Sequence, residues 1–167
     1  MRFLRGIALL VIFGIGVAAG WYYFSYRPHN VSAATVTIYY TAADGKSEVP
    51  YKVSLGPARD QKSVAFYAAT QALAGPPQNV EAIRFPPGTH VLNLDIKDGV
   101  AIVDLSPDVN KFGGGSFDEG GMFKSLVWTL TAQRGINSVS VRVDGSKVAT
   151  LPGGHLELDE PLSRSSW

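Results

Sequence analysis

This sequence predicts an α+β two-layer sandwich: a mostly antiparallel sheet with two helices on one face, in the order β-β-α-β-β-α-β-β, preceded by one transmembrane helix. Three observations predict it. Strand-like alternation with period two recurs in pairs separated by Gly-containing turns. Two segments of helical periodicity lie between those pairs. The first 27 residues contain an uncharged run with Arg2 and Arg5 before it and Arg27 directly after it.

The leading segment reads MRFLRGIALLVIFGIGVAAGWYYFSYR. From Gly6 to Tyr26 no residue is charged, and at ~1.5 Å per residue a helix over this run crosses a ~30 Å hydrocarbon core. Val17-Ala18-Ala19 offers a small-residue site for signal cleavage. The aromatic group Trp21, Tyr22, Tyr23, Phe24 and Tyr26 favours an uncleaved anchor, since such rings settle at the head groups. Arg2, Arg5 and Arg27 complete the membrane-interface set and orient the N-terminus toward the cytoplasm. Residues 28–34 read as a tether, 35–164 as one domain and 165–167 as a tail.

After the tether, TVTIYYT alternates, with Val36, Ile38 and Tyr40 on one side. AADGKSE supplies a turn, and VPYKVSL returns as a strand whose Pro50 marks an edge. ARDQKSVAFYAATQALAGPP is a helix: Asp60 or Ser63 caps it, Val64, Ala65, Ala68, Ala69, Ala72 and Leu73 form its apolar stripe, and Gly75 with Pro76-Pro77 ends it.

The run HVLNLDIKDGVAIVDLS carries Asp98-Gly99 between two alternating segments, the signature of a two-residue hairpin turn. Counting outward pairs Lys97 with Val100, Ile96 with Ala101, Leu94 with Val103 and Leu92 with Leu105. The apolar partners share one face, while Asn93, Asp95 and Asp104 share a face open to water. Ser116-x-x-Glu119 reads as a capping box for a second helix with stripe Met122, Phe123, Leu126, Val127 and Leu130. Val139, Val141 and Val143 mark a further strand, and Asp144-Gly145 turns it into a short last one. The remaining LPGGHLELDEPLSRSSW shows no period.

The sequence contains no cysteine, which excludes disulfides, thiolate metal sites and a lipid-modified Cys within it. Beyond Arg27 the chain carries 12 basic and 14 acidic residues, a charge of about −2. That is a poor match for nucleic acid, whose binding neutralises phosphates with Lys and Arg.

Catalytic motifs are weak. Ser106 and Asp104 with a histidine would make a hydrolytic set, but Ser106-Pro107-Asp108 is turn chemistry and no G-x-S-x-G elbow accompanies it. His29, His90 and His155 are scattered without metal-ligand spacing. Gly113, Gly114, Gly115 and Ser116 lack the Gly-Lys-Ser/Thr ending of a nucleotide loop, and Asp118 and Glu119 repel phosphate. No catalytic residue, metal or cofactor is expected. The candidate interaction surface comprises Tyr39, Asn93, Asp95, Asp104, Ser106, Gly113, Gly114, Gly115, Ser116 and Asp118.

The stretches VTIYYTAADG, SVAFYAATQALAGPP, FPPGTHVLNLDIKDGVAIVDLSPD, GSFDEGGMFKSLVWTLTAQRGINSVSVRVDG and LPGGHLELDEPLSR resemble the GerMN domain family of sporulation and spore germination proteins. The resemblance implies an extracytoplasmic, non-enzymatic domain similar in fold to ring-building motifs. It further implies an envelope protein or peptidoglycan as partner. A cell-wall hydrolase using Asp104, Ser106 and a histidine is the alternative expectation, and a homo-oligomeric ring joined edge to edge is a third.

Overall fold

The computed structural model describes residues 16, 17, 21, 22, 34–56 and 60–167. Residues 33–167 form one compact unit and residues 1–32 another. Of the predicted interface anchors, Trp21 and Tyr22 are helical and exposed, while Arg2, Arg5, Tyr23 and Arg27 lie outside the described residues. Most of the predicted span does too. Among the described residues no helix is long and apolar enough to cross a membrane.

The domain runs β1 (Thr35–Thr41), β2 (Glu48–Ser54), α1 (Gln61–Ala74), β3 (Val91–Lys97), β4 (Val100–Leu105), α2 (Ser116–Thr131), β5 (Ser138–Val143) and β6 (Ser146–Lys147), the order expected. The strands divide between two sheets, β1-β2 and β3-β4-β5-β6. Three pairings are antiparallel, but β4 and β5 run parallel. The pairing is thus mostly antiparallel as expected, with one parallel pair, and the correction is that the strands form two sheets instead of one. A helix lies between β4 and β5, and a crossover of that kind brings the chain back to start its next strand in the same direction.

The β3-β4 hairpin turns on Asp98 (φ 52°) and Gly99 (φ 80°), as a type I′ turn requires. Its register follows the counted one from Lys97↔Val100 to Asn93↔Asp104. Beyond that point the pairing shifts: Val91, rather than Leu92, faces Leu105. The irregularity between Val91 and Asn93 inserts one residue and turns Leu92 out to 44% exposure. Alternation alone does not reveal such an insertion.

The core joins Leu94, Ala101, Val103, Leu105, Val139 and Val141 to Ala65, Ala68, Ala69, Met122, Phe123, Leu126 and Leu130 of the helices, all at or near zero exposure. β1 adds Val36, Ile38 and Tyr40. Asp60 caps α1 through its Oδ1, which accepts from the Ser63 N–H at 2.9 Å. The capping box at Ser116 does not form. Gly115 is the N-cap, without a side-chain hydrogen bond, and Glu119 is buried. The unpatterned tail belongs to the core through Leu151, Leu158 and Leu162.

Candidate interaction surfaces

Two surface features gather the predicted residues. The first is the sheet face opposite the helices. Asn93 and Asp95 on β3, Ile102 and Asp104 on β4, and Arg142 on β5 line a shallow pocket of about 170 Å³. Lys62 at the start of α1 reaches Asp95 at 3.4 Å, both side chains being more than half exposed. Asp104 accepts from the Gly145 N–H at 2.9 Å through its Oδ1, which fixes the turn between β5 and β6. Arg142 was not among the predicted residues. Its signal was the alternation of SVSVRV, which places it beside Asp104 in the parallel register.

The second feature is a groove of about 500 Å³ lined by Arg84, Phe85, Pro86, Pro87, Lys111, Phe112, Gly113, Gly114 and Asp118, among others. One wall is fixed from three sides. Ala82 bridges Ala42, the Ile83 N–H donates to the Thr41 carbonyl at 2.9 Å, and the Phe85 ring meets Phe123 edge-on at 5.8 Å. Ile83 also lies directly over Gly121, where any side chain would collide with it. The opposite wall turns at Gly114, which is wedged between Asp118 and Phe112 with no room for a Cβ. Gly113 and Gly115 border open space. Lys111 is held by Asp108 at 2.6 Å, and that contact, above all, lowers the Asp108 pKa. The loop containing Gly113 was legible in the sequence, but the wall at 84–87 was not, because it has neither helical nor strand period.

Tyr39 does not project freely. Its N–H donates to Thr129 Oγ1 at 2.9 Å, and Arg164 lies over its ring at 5.6 Å. Ser106 is 1% exposed. Its hydroxyl accepts from the His90 N–H at 3.1 Å and sits 3.4 Å from both the Gly88 carbonyl and Asp108 Oδ2. His90 is thus a neighbour of Ser106, but its ring Nδ1 donates to the Gly88 carbonyl at 2.8 Å. Ser116 is the first residue of α2 and is exposed. Among the described residues, no three His, Asp or Glu side chains gather as metal ligands.

The strand edges differ in how they are closed. Hydrogen bonds from Ala42 N–H to Ser47 O and from Leu55 N–H to Ala34 O set the alternation of the β1-β2 ladder. It turns Tyr39 and Thr41 outward from β1, where Thr129 and Ile83 receive them. On β2 the outward positions are Glu48, Pro50 and Lys52, and Pro50 has no N–H to offer, which blunts that edge.

An α+β domain with two helices packed against a mixed sheet, a polar outer sheet face and a loop-walled groove is the class these features define. The chain belongs to the Germane family, sporulation and spore germination, whose model matches residues 37–149. The spore germination protein GerM of Bacillus subtilis is 34% identical over 79 residues, covering 47% of this chain and 21% of that protein. The chain therefore matches about a fifth of that relative's length. The solved first GerMN domain of B. subtilis GerM is 28% identical with a TM-score of 0.62, covering 79% of this chain and 98% of that one. The tandem GerMN domains of the same protein give 27% identity and a TM-score of 0.63, covering 80% of this chain and 47% of that one.

Proposed function

We propose that this chain is a membrane-anchored, extracytoplasmic binding module of GerM type that works through its surfaces and not by catalysis. The observation that carries the reading is the uncharged run from Gly6 to Tyr26, flanked by arginines, joined by a short tether to a compact family domain. The partner is a protein complex of the envelope or peptidoglycan, met at the groove around Gly113 and at the sheet face around Asp104. A non-catalytic role draws support from Ser106, whose buried hydroxyl is engaged by neighbouring backbone, and from Asp104, which is spent on a turn.

Fractionation of cells making the full chain tests the anchor. The protein should stay with membranes and be cut by protease added outside the cytoplasmic membrane, and Ile12→Lys with Ile15→Lys should release it. A wild-type chain found soluble in the cytosol would sink the anchoring. Incubation with purified peptidoglycan tests the chemistry: no soluble fragments should appear, and release that is lost on Asp104→Ala would reverse the non-catalytic reading.

A further inference from the structure

The tail beyond the family-matched residues is built unlike the rest of the domain. From Leu151 to Ser163 it has no helix or strand, yet it buries Leu151, Leu158 and Leu162 to 1%, 1% and 6% exposure. Between these leucines most residues face solvent, including Glu157, Asp159 and Glu160, while Leu156 is half-buried against the core. It is held at discrete points. Leu162 exchanges two hydrogen bonds with Val139 of β5, both at 2.8 Å, and the Leu158 N–H donates to the Ala149 carbonyl at 2.7 Å.

Glu119 of α2, with zero exposure, accepts from the His155 N–H at 2.6 Å and the Leu156 N–H at 3.0 Å, both through Oε2. Its Oε1 has no hydrogen-bond partner among the described residues. Past Leu162, Arg164 donates to Thr131 Oγ1 and the Trp128 carbonyl and lies over the Tyr39 and Trp128 rings.

We infer that residues 151–163 are a separable strap, latched by Glu119, occupying the outer edge of β5 as an added strand would. Three features point to it. β6 pairs only with Arg142 and Val143, so the first half of β5 is edged by Leu162. An uncovered N–H and C=O at Val139 would match an extended polypeptide, the chemistry Leu162 supplies from within the chain. The latch is a buried carboxylate whose burial is offset chiefly by the two tail N–H groups, so the carboxylate and the strap hold or release together. A segment fixed at a few points, with exposed backbone between them, opens below the threshold of global unfolding.

Native-state hydrogen exchange on residues 33–167 tests this; they are a compact unit, and an isolated domain of the same fold has been solved. The amides of Val139, His155, Leu156 and Leu162 should exchange as one set, at least ~10-fold faster than Val103 and Leu126. Glu119→Ala should speed that set by a further ~10-fold or more and leave α1 amides within about twofold. Strap amides that exchange only with the core would overturn the inference.

Because Glu119→Ala risks the whole fold, a chain ending at Thr150 gives a second route. It should fold and bind a labelled peptide of residues 151–167, and the same peptide with Leu162→Asp should not bind. A truncated chain that fails to fold, or folds and ignores the peptide, counts against separability equally.

Discussion

The two helices do different work with similar lengths. α1 is a spacer: its buried residues are Ala65, Ala68, Ala69, Ala72 and Leu73, small enough for the helix to lie close to β1 and β3. α2 is the hub. It buries Met122, Phe123, Leu126, Val127 and Leu130, together with the polar Glu119, Ser125 and Thr129. Those polar groups, with its backbone, reach other elements: Thr129 serves Tyr39, Glu119 serves the strap, and the Gly121 carbonyl accepts from Thr41 Oγ1 at 2.8 Å. The apolar stripe of each helix can be read from its own residues. The remote partners of α2's polar groups cannot.

The largest test of this contrast exchanges a phenylalanine on each helix. Phe123→Ala removes a fully buried ring that packs edge-on against Phe85 and should cost about 3–5 kcal/mol in urea unfolding. Phe66→Ala on α1, at 38% exposure, should cost less than about 1 kcal/mol. Equal losses would break the distinction between hub and spacer.

A hydroxyl gives the next largest effect. Thr129→Val leaves the Tyr39 N–H without its acceptor at the β1 edge and should cost about 1–3 kcal/mol, with faster exchange at that amide. Thr129→Ser, which keeps the oxygen, should recover most of the loss of protection. On α1, Thr70 bonds only the Phe66 carbonyl within its own helix, so Thr70→Val should stay within about 0.5 kcal/mol.

What could be read in advance follows the same line. Asp98-Gly99 fixed the β3-β4 turn, and Asp60 with Gly75 bounded α1, because each signal acts within a few residues. The polar face of Asn93, Asp95 and Asp104 followed from that turn by counting. Ser116-x-x-Glu119 misled because the same spacing serves two purposes. Glu119 turns inward to amides 36 and 37 residues away instead of back to its own helix start. The tail was opaque for a related reason: Pro152, Gly153, Gly154 and Pro161 prevent a helix from using the spacing of Leu151, Leu158 and Leu162, and what orders those leucines is the surface they meet. The groove wall at 83–87 is likewise held through Ile83 and Phe85 by Thr41, Gly121 and Phe123, all remote in sequence.

The caps sharpen the point at smaller magnitude. Asp60→Ala removes the acceptor for the Ser63 N–H and should lower the midpoint of thermal or urea unfolding, as loss of an N-cap does. Ser116→Ala should cost less than about 0.5 kcal/mol, since Ser116 is inside α2 and its helix start uses no side-chain cap. A larger loss at Ser116 than at Asp60 would restore the capping box to α2.

The last effect is a slope with pH rather than a step, and it too runs through α2. Glu48 on β2 meets Lys124 of α2 at 3.3 Å, and its carboxylate lies 3.1 Å from Thr41 Oγ1. Burial nevertheless raises its pKa above the ordinary 4.5, because lost hydration outweighs those two contacts. The folded state therefore holds this proton more tightly than the unfolded chain does, so Glu48 lowers stability as pH rises from 4.5 through its folded pKa. Asp60 on the α1 side behaves oppositely. Hydrogen bonds from Ser63, side chain first, hold its pKa below 3.8, so its contribution is present above that value and lost as pH falls below it. Wild type and Glu48→Gln compared by urea unfolding from pH 7 downward should show wild type gaining on the variant as pH approaches 4.5. Parallel curves over that range would mean that Lys124 fully compensates the buried carboxylate, and that α2 holds β2 by a balanced ion pair instead of a costly one.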